Sequence, residues 1–198
     1  MIYIVIGPSC AGKSTFVKNS FIKDSQLTLF NDIIKVTESD YAYLIGDYTA
    51  KTVDGRLRGT DAIARQYLKL VVPQINNLIR TFPKDVVIDG DKIYSHNIFD
   101  ALVSLTPFIK VELDYIWCSE KTSIERNKKN GATMKESAIK ALSTKPYNLY
   151  MEYKDKFYSH IYNTEGITDW SVLYAYNDEL FTDCDKISNT VQLKHRLF

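Results

Sequence analysis

The stretch GPSCAGKST at 7–15 has the residue types and spacing that bind a polyphosphate. Gly7 and Gly12 permit a tight backbone wrap with N–H groups turned inward. Lys13 is placed to reach the β- and γ-phosphates, and the Ser14 hydroxyl to ligate magnesium. The whole run, Gly7, Pro8, Ser9, Cys10, Ala11, Gly12, Lys13, Ser14 and Thr15, is therefore expected to hold ATP with Mg2+. Cys10 reads as a small space-filling residue inside it.

A second acidic signal lies in VVIDGD at 86–91. An apolar strand that ends in Asp commonly supplies a carboxylate to the nucleotide-bound magnesium. That role falls to Asp89, with Asp91 at the strand mouth facing a substrate. Motor-type ATPases place a Glu beside this Asp to activate water, whereas Gly90 follows it here. No Asp is followed by Gly three residues on, and NKKN lacks the final Asp of a guanine reader. Elimination favours phosphoryl transfer to an organic acceptor, the chemistry of a kinase.

Such a reaction must exclude water and neutralise the moving phosphoryl group, which small kinases do with a basic helical lid. The segment at 119–145 carries Arg126, Lys128, Lys129, Lys135 and Lys145 and fits a lid over about 120–145. Arg126 is expected at the transition state, because a guanidinium bridges two phosphates with a rigid fork. For the acceptor, DGRLRGTDAIA at 54–64 combines Arg56, Arg58, Gly59, Thr60 and Asp61. A carboxylate there takes the proton of an attacking hydroxyl. The candidates are Asp61, then Asp91, then Asp40, and residue types alone leave the choice open. Tyr41, Tyr43 and Tyr48 are candidates to stack on a base. Tyr150, Tyr153, Phe157 and Ile161 recur at helical spacing and read as core.

These groups need a scaffold. IYIVI, immediately before the loop, reads as a central parallel strand buried on both faces. A helix is predicted from Lys13 to about Lys23, and a second strand over 32–36. Residues 41–61 read as loop or short strand. A long helix is predicted from Thr60 or Asp61 as N-cap through Ile63, Tyr67, Leu70, Val71, Ile75, Leu78 and Phe82, kinked or split at Pro73. Strands are predicted at 85–91, within 111–119 and at 171–177. Helices are predicted at 96–105, over 120–162 with breaks near Gly131 and Pro146, and at the C-terminal end. Alternation of strand and helix implies an α/β domain with a five-stranded parallel sheet, ligands sitting beyond the carboxyl ends of its strands. With no repeats and no linker, residues 1–198 read as one P-loop domain.

Composition agrees. The chain has 198 residues, 45% hydrophobic and 25% charged, ordinary for a globular protein. No apolar run approaches a membrane span, and no leader pattern precedes the first strand, so a cytoplasmic location and no membrane partner are expected. The three cysteines and three histidines show no metal-ligand spacing. A formal net charge of +1 argues against a protein that coats nucleic acid electrostatically.

The order GPSCAGKST, GRLRGTD, IDGDKIY, ERNKKN and STKPYN resembles the small P-loop kinases encoded by tailed phages, most closely the 5-hydroxymethyluracil DNA kinases. The resemblance implies phosphorylation of the hydroxymethyl group of a modified pyrimidine in DNA, in a host cytoplasm. The chain departs from that family in carrying Arg58-Gly59 where a Gly pair is usual, and Asp89 where Glu is usual. A broader similarity to phage polynucleotide 5′-kinases implies that a loop after the last strand meets the nucleotide base, with Asn177 as the residue there. The alternative acceptor is a free nucleoside, nucleotide or other small metabolite.

Overall fold

Strand β1 (Ile2–Ile6) sends Ile2, Ile4 and Ile6 into one core layer and Val5 into another. Burial on both faces is what its unbroken apolar sequence requires. A computed structural model describes residues 1–31, 33–51, 57–131 and 134–167. After β1 come the phosphate loop, the short helix α1 (Lys13–Val17) and a π-type turn (Lys18–Ile22).

β2 (Thr28–Asn31), β3 (Lys35–Glu38) and β4 (Ala42–Ile45) follow, then a small ribbon of β5 (Asp47–Lys51) and β6 (Leu57–Gly59). Helix α2 (Val71–Thr81), strand β7 (Asp85–Asp89) and helix α3 (His96–Val103) come next. Strand β8 (Val111–Trp117), helices α4 (Glu120–Lys129) and α5 (Glu136–Tyr153) and strand β9 (Tyr158–Asn163) complete the described part.

Among the described residues the main sheet has seven strands in the order β2-β3-β4-β7-β1-β8-β9. The run from β4 to β9 is parallel throughout, while β2 and β3 add antiparallel to the β4 edge. β1 lies between β7 and β8, with Ile4 opposite both Ile88 and Leu113. The loop after β1 therefore emerges beside the residues that follow β7, at the end where such sheets bind ligands. Phe16, Val17, Phe21 and Ile22 from α1 and its π-type turn cover one face. Val71, Ile75 and Leu78 of α2, Phe99 and Leu102 of α3, and Leu149 and Tyr153 of α5 cover the other. This is the expected α/β architecture, a parallel sheet with helices on both sides.

Several elements differ from the sequence reading. Of the strand expected at 32–36, residues 35 and 36 belong to β3, an antiparallel strand between β2 and β4, and the second parallel strand is β4. β4 is buried at all four positions, so it shows no alternation by which to recognise it. The helix expected from residue 61 is two 3-10 turns (Thr60–Ala62 and Arg65–Leu70) leading into α2. Pro73 falls in the first turn of α2, where its missing N–H breaks no helical bond. The break near Gly131 is present, but α5 runs through the buried Pro146.

Residues 158–162, expected to be helical, belong to the fifth parallel strand, β9 (Tyr158–Asn163). Tyr150, Tyr153, Phe157 and Ile161 all enter one core layer, but the last comes from β9. The helical spacing runs across the end of the helix and so conceals where it ends. The strand expected at 171–177, Asn177 and the C-terminal helix lie outside the described residues. Among those described, no helix is long and apolar enough to cross a membrane.

Candidate active site

The loop between β1 and α1 is shaped by three left-handed residues. Gly7 has φ 150°, Cys10 φ 62° and Gly12 φ 105°. A Cβ on Gly7 would collide with the Ile116 carbonyl of β8, so only glycine fits the exit from β1. Turns of alternating hand fold successive N–H groups into one concavity, the geometry that receives a phosphate. Cys10 is half-buried in this loop. Ser14, the expected magnesium ligand, is exposed at the start of α1.

Lys13 turns back over the loop. Its Nζ donates to the Gly7 carbonyl at 2.8 Å and the Pro8 carbonyl at 2.9 Å, and pairs with Asp91 Oδ1 at 3.2 Å. Asp91 also accepts from the Ser9 hydroxyl at 3.4 Å. The cation expected to reach the phosphates and the acid expected to face a substrate thus meet at one point.

Asp89 ends β7 and is 4% exposed. Burial raises its carboxyl to about 6; the Tyr48 hydroxyl and Lys13 act against that rise, and the charges of Asp61 and Asp91 add to it. Tyr48 donates to Asp89 Oδ1, and the Thr60 hydroxyl donates to the Asp89 carbonyl. Gly59 sits close beneath both Tyr48 and Asp89, where a Cβ would come within 3.2 Å of Asp89 Oδ1. Asp61 is exposed on the turn after β6, and Lys92 ties that turn down by donating to the Asp61 and Ile63 carbonyls, each at 2.7 Å.

Two brackets that residue spacing did not reveal hold the loop. Tyr94 accepts from the Gly7 N–H at 3.0 Å and donates to the Gly7 carbonyl at 2.8 Å. Burial and then the Asp91 charge raise its phenol well above the ordinary value, so it stays protonated and able to donate. On the other side, Arg126 of α4 donates to the Ala11 carbonyl at 3.1 Å, the Thr164 hydroxyl at 2.9 Å and the Thr164 carbonyl at 2.5 Å. Thr164, just past β9, itself donates to the Ala11 carbonyl at 2.8 Å. The end of β9 and the root of the lid segment are thereby fastened to the phosphate loop. Glu165 accepts from the Ser119 N–H at 2.8 Å and the Ser119 hydroxyl at 2.9 Å, which secures the start of α4. Asn127 pairs through both amide atoms with the Met134 backbone where α4 leads to α5.

The structure brings Lys13, Asp89, Asp91 and Arg126 to the loop and sets Asp61 near Asp89. It separates the other acceptor candidates. Asp40 and Tyr41 precede β4 at the amino ends of the parallel strands, opposite the loop. Tyr43 is buried and donates to Glu38. Tyr48 is buried on Asp89 rather than presented for stacking. Tyr41 and Tyr48, close in sequence, are thus divided between the two ends of β4. Tyr94, Thr164 and Lys92 lie in turns, where no periodicity marks them; only the polar residues around Gly90 hinted at a site.

No family model and no curated protein matches the sequence. Among solved structures the chain is similar to a deoxyadenosine kinase from M. mycoides with the products dCMP and a flexible dCDP bound. The identity is 12% and the TM-score 0.48, over 94% of this chain and 100% of that one. A deoxyadenosine kinase from M. mycoides with bound dATP gives 14% and 0.44, over 97% of this chain and 100% of that one.

Proposed function

We propose that this chain is an ATP-dependent kinase that transfers the γ-phosphoryl group to a hydroxyl of a nucleoside or nucleotide. The observation that carries this reading is the meeting of Lys13 and Asp91, 3.2 Å apart at the mouth of the sheet. It joins a phosphate-binding cation to a solvent-reaching carboxylate, with Gly90 in place of a water-activating acid. Nucleotide entry would draw Lys13 from the Gly7 and Pro8 carbonyls onto the β- and γ-phosphates. Asp91 is then released beside the reacting end. It is the favoured base over Asp61, because it lies against Lys13 at 3.2 Å, whereas Asp61 sits on the turn after β6. Asp89 and Ser14 offer hard oxygen donors of the kind magnesium prefers, and the buried Asp89 beside Lys13 suits a carboxylate that awaits a cation. Bound there, magnesium would neutralise charge on the β- and γ-phosphates. Arg126 braces the loop through Ala11 and adds positive charge on the lid side. The lid spans α4 and the first half of α5, in a single domain of 1–198.

For the acceptor, the acidic mouth supports a small molecule. Asp61, Asp89 and Asp91 gather there, while the Lys92 ammonium is engaged by backbone carbonyls. Carboxylates in that position repel a polyanion such as DNA. The finer reading, a hydroxymethylated pyrimidine in phage DNA, is supported by the resemblance in GRLRGTD and IDGDKIY and by the basic lid; it requires the base to be extruded from the duplex.

The test offers γ-labelled ATP and magnesium to free nucleosides and nucleotides, and to end-blocked DNA oligomers with thymine, 5-hydroxymethyluracil or 5-hydroxymethylcytosine. Label in a free nucleoside or nucleotide supports the small-acceptor reading. Label only in hydroxymethylated DNA replaces it with the DNA-base reading, and no labelled acceptor refutes both.

A further inference from the structure

β8 and β9 carry a second group of chemistry-bearing side chains on the α1 face of the sheet. Glu112 and Asp114 are two apart on β8 and so share that face. His160 of β9 stands directly opposite Asp114 in the parallel register. Its Nδ1 lies 3.1 Å from Glu112 Oε1 and 3.4 Å from Asp114 Oδ1, and ligand atoms of all three residues fall within 4.8 Å of one another. Neither cysteine nor histidine spacing announced this group, because its members come from strands joined only by the sheet.

Three observations point to a cation. Asp114 is 1% exposed, and its Oδ1, aimed into the group, accepts no hydrogen bond. Two buried carboxylates side by side need compensating positive charge; Lys110 meets only the outer oxygen of Glu112, at 3.3 Å, so the inner oxygens depend on a proton on His160 or on a metal ion in its place. The separations also suit coordination: ligands about 2.1 Å from zinc stand roughly 3.4 Å apart at a tetrahedral angle. The His160 side chain is 20% exposed, which leaves a route in and room for a water ligand.

We propose that Glu112, Asp114 and His160 bind a divalent transition-metal ion of the zinc class. One imidazole nitrogen and two carboxylate oxygens form a borderline donor set that suits such ions. Binding exchanges the proton held among these groups for the metal, since the imidazole ligates in its neutral form. The ion joins β9 to β8 four residues before Thr164, and so steadies the bracket on Ala11 of the phosphate loop.

The test titrates chelator-treated full-length protein with zinc alone by calorimetry, in the Asp89→Asn background so that the phosphate loop offers no strand-end carboxylate. Thermal unfolding with and without zinc, and visible spectra with cobalt, accompany it. The expected result is one saturable site that raises Tm and gives a cobalt spectrum without thiolate bands. Asp114→Asn and His160→Gln should each weaken binding at least tenfold and abolish the shift in Tm. Should either fold poorly, Glu112→Gln, on the more accessible rim, gives the same comparison. No saturable binding, a thiolate-type cobalt spectrum, or affinity unchanged in folded variants would overturn the proposal. The three groups would then be an ion-paired cluster closed by a proton.

Discussion

The Tyr48 hydroxyl donates to the Asp89 carboxylate, joining two buried residues 41 positions apart in the chain. Tyr48, 2% exposed, belongs to the β5–β6 ribbon, while Asp89 ends the central strand β7. Through this bond the β5–β6 ribbon is linked to the carboxylate proposed to face the nucleotide's magnesium. Burial still dominates, so the Asp89 carboxyl rises from 3.8 to about 6.

A raised carboxyl makes stability depend on pH with a definite sign. The folded state holds its proton more tightly than the unfolded state, so stability is greatest below pH 4 for this group. It falls as pH rises towards 6 and is level above that. The shift corresponds to about 3 kcal/mol as an upper order of magnitude. Asp89→Asn keeps an oxygen acceptor for Tyr48 without the charge. Urea unfolding should show the variant gaining on the wild type between pH 4.5 and 7.5; a constant difference would disprove the buried-acid account.

Removing the tyrosine hydroxyl should act in the opposite direction. Tyr48→Phe leaves a buried carboxylate oxygen without its donor, at about 1–3 kcal/mol. The loss should be larger at pH 7.5 than at pH 5, because the charged carboxylate depends more on the bond. Equal losses at the two pH values would mean that Tyr48 contributes through packing alone.

Tyr94 grips both backbone polar atoms of Gly7, so Tyr94→Phe should loosen the loop without removing any group that touches the phosphates. The expected outcome is a KM for ATP raised roughly tenfold, with kcat less affected and stability lowered by about 1–3 kcal/mol. A fall confined to kcat would place Tyr94 in the chemistry itself.

The two cations of the loop should be separable by kinetics. Lys13→Ala is expected to lower kcat by roughly 100-fold or more, as loss of a charge-stabilising donor does. Arg126→Lys retains the charge but cannot span Ala11 and Thr164 together. It should lower kcat/KM by roughly tenfold, with little recovered relative to Arg126→Ala. Full activity in Lys13→Ala would refute the site assignment, and full activity in Arg126→Lys would show that charge alone suffices.

The strand–loop–helix unit at residues 2–17 was legible because its signals are local: an apolar strand, then glycines, a lysine and a hydroxyl in the spacing of a phosphate loop. Asp89 was legible for the same reason, as an acid that closes an apolar strand. Other features depend on the sheet order. β9 was hidden because Phe157 and Ile161 continue the helical spacing of α5 while packing from different elements, and periodicity records burial rather than the element that supplies it. Tyr41 and Tyr48 are seven positions apart, yet β4 runs between them and sends them to opposite ends of the sheet. Tyr94 on Gly7, Arg126 on Ala11, and His160 beside Asp114 arise because β1 lies between β7 and β8 and β9 lies beside β8. The chain alone thus determined the loop proposed to bind phosphate, whose parts are neighbours in sequence. Only the tertiary structure decided what braces and faces it, since those contacts follow from long-range strand pairing that no local pattern encodes.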